Sequence, residues 1–180
     1  MQQTLVNKNK RSRRRRARLP EGEFDITIED SKPLGLSHEG RGIGKIDEKT
    51  HFISYALPNE TISFKYQSNR SQFAEGRAIE IKENPHPNRV EPKCKVFGTC
   101  GGCAMQHLDH KSQIEFKDKL LFQLLEHQKV FPKNELEPLS ANPWGYRHKA
   151  RIGVKHVPKK GGVLVGFREN DGRFITNMDS

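Results

Sequence analysis

Three cysteines, Cys94, Cys100 and Cys103, fall within ten residues in the spacing C-x5-C-x2-C, and the chain has no others. The loop around the last two reads Phe97-Gly98-Thr99-Cys100-Gly101-Gly102-Cys103. Thiols crowded in this way suit a metal, because glycines let the backbone wrap closely and amide N–H groups can point at the sulfurs. Ordinary core cysteines would be dispersed through an apolar pattern, and none surrounds these. An odd count in a chain of cytosolic character disfavours a disulfide. Two metal sites are compatible with the spacing. A Cys3His zinc site would recruit His107, four residues after Cys103, with His110 just beyond. A 4Fe–4S cluster normally takes four cysteines, one more than the chain holds. Spacing alone does not choose between them.

The elements that must position these thiols are short. Composition allows only a small core: hydrophobic residues make up 33% of the 180 and charged residues 30%. From Glu21 to about Lys82 the pattern is β. Phe24, Ile26 and Ile28 alternate with polar residues. Ile43 and Ile46, Phe52 and Ile53, then Ile62, Phe64 and Tyr66, and Ala78, Ile79 and Ile81 follow. Turn formers at Lys32-Pro33, Glu39-Gly40, Asp47-Glu48, Pro58-Asn59 and Ser68-Asn69 separate them. Five or so short strands in so few residues predict a small closed barrel of the OB type. Residues 84–106, rich in Pro, Gly and Cys, show no period, so a ligand must supply their order. Asp109 can cap a helix running to about Val130, with Ile114, Leu120, Leu121, Leu124 and Leu125 on one face and Pro132 as its stop. After Pro143-Trp144-Gly145 a strand is expected, with Arg147, Lys149, Arg151 and Lys155 on one side and Ala150, Ile152 and Val154 on the other. Gly161-Gly162 turns it into Val163–Phe167, a hairpin.

The net charge of +10 is concentrated at the two ends. Residues 1–20 hold eight bases and no acid, and read as a disordered basic arm. A further eight bases against three acids lie in residues 147–180, leaving a slightly acidic middle. Clustered bases of this kind attract polyanions by counterion release. No apolar stretch reaches the length of a membrane span, and the basic start lacks a secretory h-region, so a cytoplasmic location and no membrane partner are expected.

In chain order, Leu36-Ser37-His38-Glu39-Gly40-Arg41-Gly42-Ile43-Gly44-Lys45 resembles the opening of a TRAM domain, an OB-like RNA-binding barrel. It continues through Phe52-Ile53, Ala56-Leu57-Pro58-Asn59-Glu60 and Ala74-Glu75-Gly76-Arg77-Ala78. Arg89-Val90-Glu91-Pro92-Lys93-Cys94, the cysteine loop, Gln106-His107, Pro143-Trp144-Gly145-Tyr146-Arg147 and Val165-Gly166-Phe167-Arg168 follow. Together these are similar to the front part of bacterial 23S rRNA uracil-5-methyltransferases of the RlmD type, from about residue 24 to the end. The resemblance implies a mainly β fold: a TRAM barrel over 21–83, an iron–sulfur loop over 84–106, and a partial central α+β domain over 107–180 made of the helix and the hairpin. It implies a 4Fe–4S cluster on Cys94, Cys100 and Cys103, with a fourth cysteine just beyond Ser180. In the family, a cysteine adds to C6 of uracil, the base is methylated at C5, and a carboxylate removes the C5 proton. That chemistry sits in a doubly wound domain that binds S-adenosylmethionine, and no residue here matches it. The chain alone is expected to bind a single-stranded or looped segment of 23S rRNA as a monomer and to transfer no methyl group.

The candidate RNA contacts are Arg41 and Lys45, beside the glycine turn, and the stripe Arg147, Lys149, Arg151 and Lys155. Gly40-Arg41-Gly42-Ile43-Gly44 is not a dinucleotide fingerprint and reads as a turn between strands. Phe52, Phe64 and Tyr66 are candidates either for base stacking or for the barrel core. The rival reading is a free-standing Cys3His zinc module that binds RNA without enzyme activity.

Overall fold

The computed structural model describes residues 19–30, 35–170, 172 and 174–178. Most of the basic arm and the Lys32-Pro33 turn therefore lie outside the described residues.

Strands form where the apolar runs predict them: β1 (Phe24–Thr27), β2 (Gly42–Ile46), β3 (Lys49–Ser54), β4 (Thr61–Asn69) and β5 (Phe73–Glu83). They pair in the order β1-β4-β5-β3-β2, antiparallel except for β3 with β5. The outer strands then meet, the Glu29 N–H donating to the Ile43 carbonyl at 2.8 Å. That seam rolls the sheet into a five-stranded, partly open barrel of the OB type. The β2–β3 turn at Asp47-Glu48 has positive φ at both residues, 49° and 60°, matching the twist of a two-residue hairpin.

Alternation decides what fills the barrel. Ile26, Ile28, Ile53, Ala56, Ile62 and Phe64 form one buried cluster, so Phe64 is core rather than a stacking surface. Tyr66 packs on the edge of this core with its hydroxyl 3.0 Å from His51 Nε2. Close approach explains the glycines of the seam. A Cβ on Gly44 would sit 2.7 Å from Ile26 Cδ1 and 2.8 Å from the Thr27 carbonyl oxygen. Gly42-Ile43-Gly44, expected as part of a turn between strands, lies within β2 instead, because its glycines let β2 approach β1 closely.

A second cluster joins the barrel to the helix α1 (His110–His127): Leu36, Leu57, Leu108 and Phe116 are buried together, with Met105 and Leu120 against them. Asp109 caps α1, accepting the Ser112 N–H at 3.1 Å. The helix ends three residues before Val130, with Lys129 left-handed at φ 57° ahead of Pro132. Only its first half docks. Leu121 and Leu124, expected on the buried face, are 53% and 50% exposed, because no described element lies opposite them.

The second sheet is the hairpin β6 (Gly153–Val157) and β7 (Gly162–Gly166), joined through a 3-10 turn at Pro158–Lys160. The strand expected from Arg147 begins six residues later, at Gly153. The five residues of β7 pair only as far as Gly153, and among the described residues nothing pairs with 147–152. The expected inward side is also open, with Ile152 49% and Val154 68% exposed, while Leu164 on the other face is buried.

Gly76 tests how tightly the barrel is closed. A Cβ there would lie 2.5 Å from Phe64 Cδ2 and 3.1 Å from the Lys65 carbonyl. Gly76→Ala is expected to cost about 1–3 kcal/mol in urea unfolding, the usual range for overpacking a core. An unchanged midpoint would show that the barrel relaxes freely around this point.

Candidate functional site

The cysteine segment is held to the barrel by a buried ion pair. Glu60, fully buried between β3 and β4, accepts the Leu57 N–H at 2.8 Å and the His86 N–H at 3.0 Å. Arg89 donates to both its oxygens, Nε to Oε1 and Nη2 to Oε2, each at 2.6 Å. The same Nη2 donates to the Tyr55 carbonyl at 2.9 Å. Burial pushes the Glu60 carboxyl up, but Arg89 and the two N–H donors outweigh it, and the group lies below the usual carboxylate range.

Tyr55, at the end of β3, is the second tie. Its backbone is left-handed at φ 68°, an uncommon conformation for a bulky residue and one often found at functional positions. Its hydroxyl donates to the Gly98 carbonyl at 3.1 Å and accepts from Asn170 Nδ2 at 2.9 Å. The residues after β7 also clasp the loop: Asn170 N–H donates to Thr99 and Gly101 N–H to Arg168, both at 2.9 Å. Barrel, cysteine loop and hairpin thus converge on one tyrosine.

All three cysteines are free: Cys94 half-buried, Cys100 buried and Cys103 exposed. The Gly102 N–H donates to Cys100 Sγ at 3.4 Å, the amide-to-sulfur contact expected of a thiolate ligand. The donor chemistry therefore fits a thiolate-bound metal. Among the described residues, however, no three His, Cys, Asp or Glu side chains converge closely enough to hold an ion.

His107, the candidate zinc ligand, belongs elsewhere. Its ring is 1% exposed, lies edge-on to Tyr55 at 5.9 Å and is tilted against Phe97 at 5.7 Å. Neither ring nitrogen has a hydrogen-bond partner. Burial, helped by the neighbouring Arg89 charge and only partly opposed by Glu60, lowers its pKa to about 4, so the imidazole is neutral at pH 7.

The predicted basic residues separate into three groups. Arg41 is half-buried, bonded to Glu75 at 3.0 Å and to Glu39, so its charge is largely engaged. Lys45 is exposed on β2, on the outer side that also carries Ile43 and Phe52. Arg147, Lys149 and Arg151 are exposed along a segment outside any strand or helix, and Lys155 is exposed on β6, so the four do not form one strand face. The outer barrel surface has a feature that sequence reasoning only half found. Phe52 and Phe73 meet edge to face at 5.8 Å, with Arg41 5.4 Å over the first and Arg70 5.1 Å over the second. Phe52 was a candidate; Phe73 and Arg70 join it only because β3 runs parallel to β5.

No family model matches the chain. Similar proteins do exist. A protein of Alkalilimnicola ehrlichii is 49% identical over 167 residues, covering 92% of this chain and 36% of that protein. Proteins of Francisella tularensis subsp. novicida and Legionella pneumophila are 44% and 42% identical over 165 and 159 residues. Each is named 23S rRNA (uracil(1939)-C(5))-methyltransferase RlmD. The class these similarities define is that of RNA uracil methyltransferases. Within it, the chain corresponds to the N-terminal part of the RlmD family. It spans about a third of the length of these relatives. Among the described residues no helix is long and apolar enough to cross a membrane.

The buried imidazole makes stability depend on pH. Its folded pKa of about 4 lies below the ordinary 6.5, so the unfolded chain takes up a proton that the folded chain refuses. Its effect is a loss of stability as pH falls from 6.5 towards 4, approaching about 1.4 kcal/mol per pH unit within that window. Glu60 acts in the same direction at lower pH, since its lowered carboxyl loses its contribution as pH falls through its folded value. In urea unfolding at pH 7, 6 and 5, His107→Phe is expected to flatten the slope seen in the parent chain. An equal slope in both would place the proton uptake on other groups.

Proposed function

We propose that this chain is the RNA-recognition and cluster-binding front part of a 23S rRNA uracil-C5-methyltransferase that makes 5-methyluridine from S-adenosylmethionine. The observation that carries the proposal is the identity with RlmD proteins, which runs through barrel, cysteine loop and hairpin alike. In this reading residues 21–83 are the TRAM barrel, and its outer face binds single-stranded or looped RNA. Half-buried Phe52 and Phe73 stack on bases, Arg70 and Lys45 lie beside phosphates, and Arg147, Lys149, Arg151 and Lys155 extend the basic surface. Cys94, Cys100 and Cys103 supply three thiolates to a 4Fe–4S cluster, with a further cysteine of the whole protein as the fourth. The cluster's contribution is to cross-link a loop that has little apolar packing of its own. S-adenosylmethionine and the catalytic groups belong to the whole protein, which works in the cytoplasm; this chain acts as a monomer and is inactive alone.

RNA binding is measured by fluorescence anisotropy with a single-stranded, uridine-containing oligonucleotide. Phe52→Ala and Phe73→Ala are each expected to weaken binding about tenfold. Lys45→Ala should lower the slope of log K against log salt by about 1. No binding at low salt would overturn the RNA role, and 5-methyluridine formed by this chain with S-adenosylmethionine would overturn its inactivity.

Anaerobic purification with assays of iron, sulfide and zinc tests the cluster. About four irons and sulfides per chain, lost in a Cys100→Ser variant, is the expected result. Zinc without iron, in a colourless protein, would replace the cluster by a zinc site.

A further inference from the structure

Beside the outer barrel face, a cleft of about 520 Å³ opens between the barrel and the cysteine loop. Ser54, Gln67 and Ser68 line it from the barrel, Gly101 and Cys103 from the cysteine loop, and Asn170 from the segment after β7. Arg41 joins the cleft to the outer face, since it lines the cleft while its guanidinium lies 5.4 Å over the Phe52 ring. An RNA chain stacked on Phe52 therefore meets the cleft next. The volume falls within the range of small-ligand pockets and suits one nucleoside, not a duplex.

The lining is polar and open to solvent. Gln67, Cys103 and Asn170 are exposed, and Ser54 and Ser68 are half-buried. Gln67 owes its place to a β-bulge in β4. Tyr66 pairs with Gly76 and Ser68 with the adjacent Glu75, so Gln67 is the extra residue without a partner on β5. A bulge re-aims a side chain, and bulges are over-represented next to functional sites. The charges decide which part of a nucleotide enters. Glu39 and Glu75 line the cleft, and Arg41 is ion-paired with both. Two carboxylates against one guanidinium disfavour a phosphate here, whereas Lys45 and Arg70 offer cations on the outer face. A carboxamide presents a donor and an acceptor side by side, which matches the mixed hydrogen-bonding edge of a nucleobase.

We propose that this cleft takes one nucleoside of an RNA chain bound on the outer face, with the Gln67 carboxamide bonded to the edge of its base. The inference rests on the RNA-binding reading above and extends it from stacking to recognition of a base. A base edge is free for such a contact only where it is unpaired, which ties the cleft to single-stranded or looped RNA.

Two measurements test it on the intact chain. In 1H–15N spectra, the side-chain amide of Gln67 is identified by its absence from a Gln67→Ala variant. That signal is expected to move when the single-stranded, uridine-containing oligonucleotide is added and to stay still with inorganic phosphate. By fluorescence anisotropy, Gln67→Ala, checked for an unchanged melting temperature, is expected to bind the oligonucleotide about fivefold more weakly. Its slope of log K against log salt should equal the parent's, because no phosphate contact is lost. A Gln67 amide that stays silent while RNA binds, or equal affinity in the variant, would overturn the base contact and leave the outer-face reading standing. Weaker binding with a lower salt slope would put a phosphate in the cleft and equally overturn it. No RNA binding at all would remove both the occupant and the function proposed above.

Discussion

The contact between Glu60 and Arg89 links two parts of the chain that have little else in common. Glu60 closes the turn between β3 and β4 in a well-packed barrel, whereas Arg89 opens a segment rich in proline, glycine and cysteine. A carboxylate with no exposed surface is tolerable only if every oxygen is answered, and here two backbone N–H groups and a two-pronged guanidinium answer it. Losing one partner of such a buried pair typically costs about 3–5 kcal/mol, because the other charge is stranded. Backbone ties then spread outward, with Val90 N–H on the His107 carbonyl and Asp109 N–H on Asn88, both at 3.0 Å, so the loop is closed at its base before the cysteines begin.

Tyr55 turns that closed loop into part of a larger object. Its left-handed backbone is sustained because the Arg89 guanidinium grips its carbonyl, while its hydroxyl is shared between Gly98 and Asn170. The outcome is a junction at which Tyr55 and Phe97 meet edge to face at 5.0 Å, with the Arg77 guanidinium 5.3 Å over the tyrosine ring.

The charged residues illustrate how little spacing in the sequence says about a side chain's partners. Arg41, a candidate phosphate contact beside a strand, is ion-paired with Glu39 and Glu75. The stripe from Arg147 to Lys155 had the right alternation for a strand face. Alternation specifies a strand only when a partner is present to pair with it, and among the described residues none accompanies 147–152. The apolar partners of that stripe, Ile152 and Val154, stay open to solvent for the same reason.

Local pattern was enough for the barrel strands, the cap of α1 at Asp109, the hairpin closed through Gly161, and the grouping of three thiols in one loop. Each depends on residues close in sequence: period-two alternation, a side chain two or three positions from the amide it caps, glycine where φ must be positive. Kinship was legible too, since the motifs from Leu36 to Arg168 keep their order. Tertiary structure alone decided the rest. It paired Glu60 with Arg89, placed Phe73 beside Phe52 through a parallel strand contact, withdrew His107 from the cysteines into an aromatic cluster, and made Tyr55 the meeting point of three segments. Those outcomes depend on groups far apart in the chain, 29 positions in the bond of Arg89 with Glu60 and 115 in that of Asn170 with Tyr55. Their energies come from burial and desolvation, which exist only once the chain has closed around them.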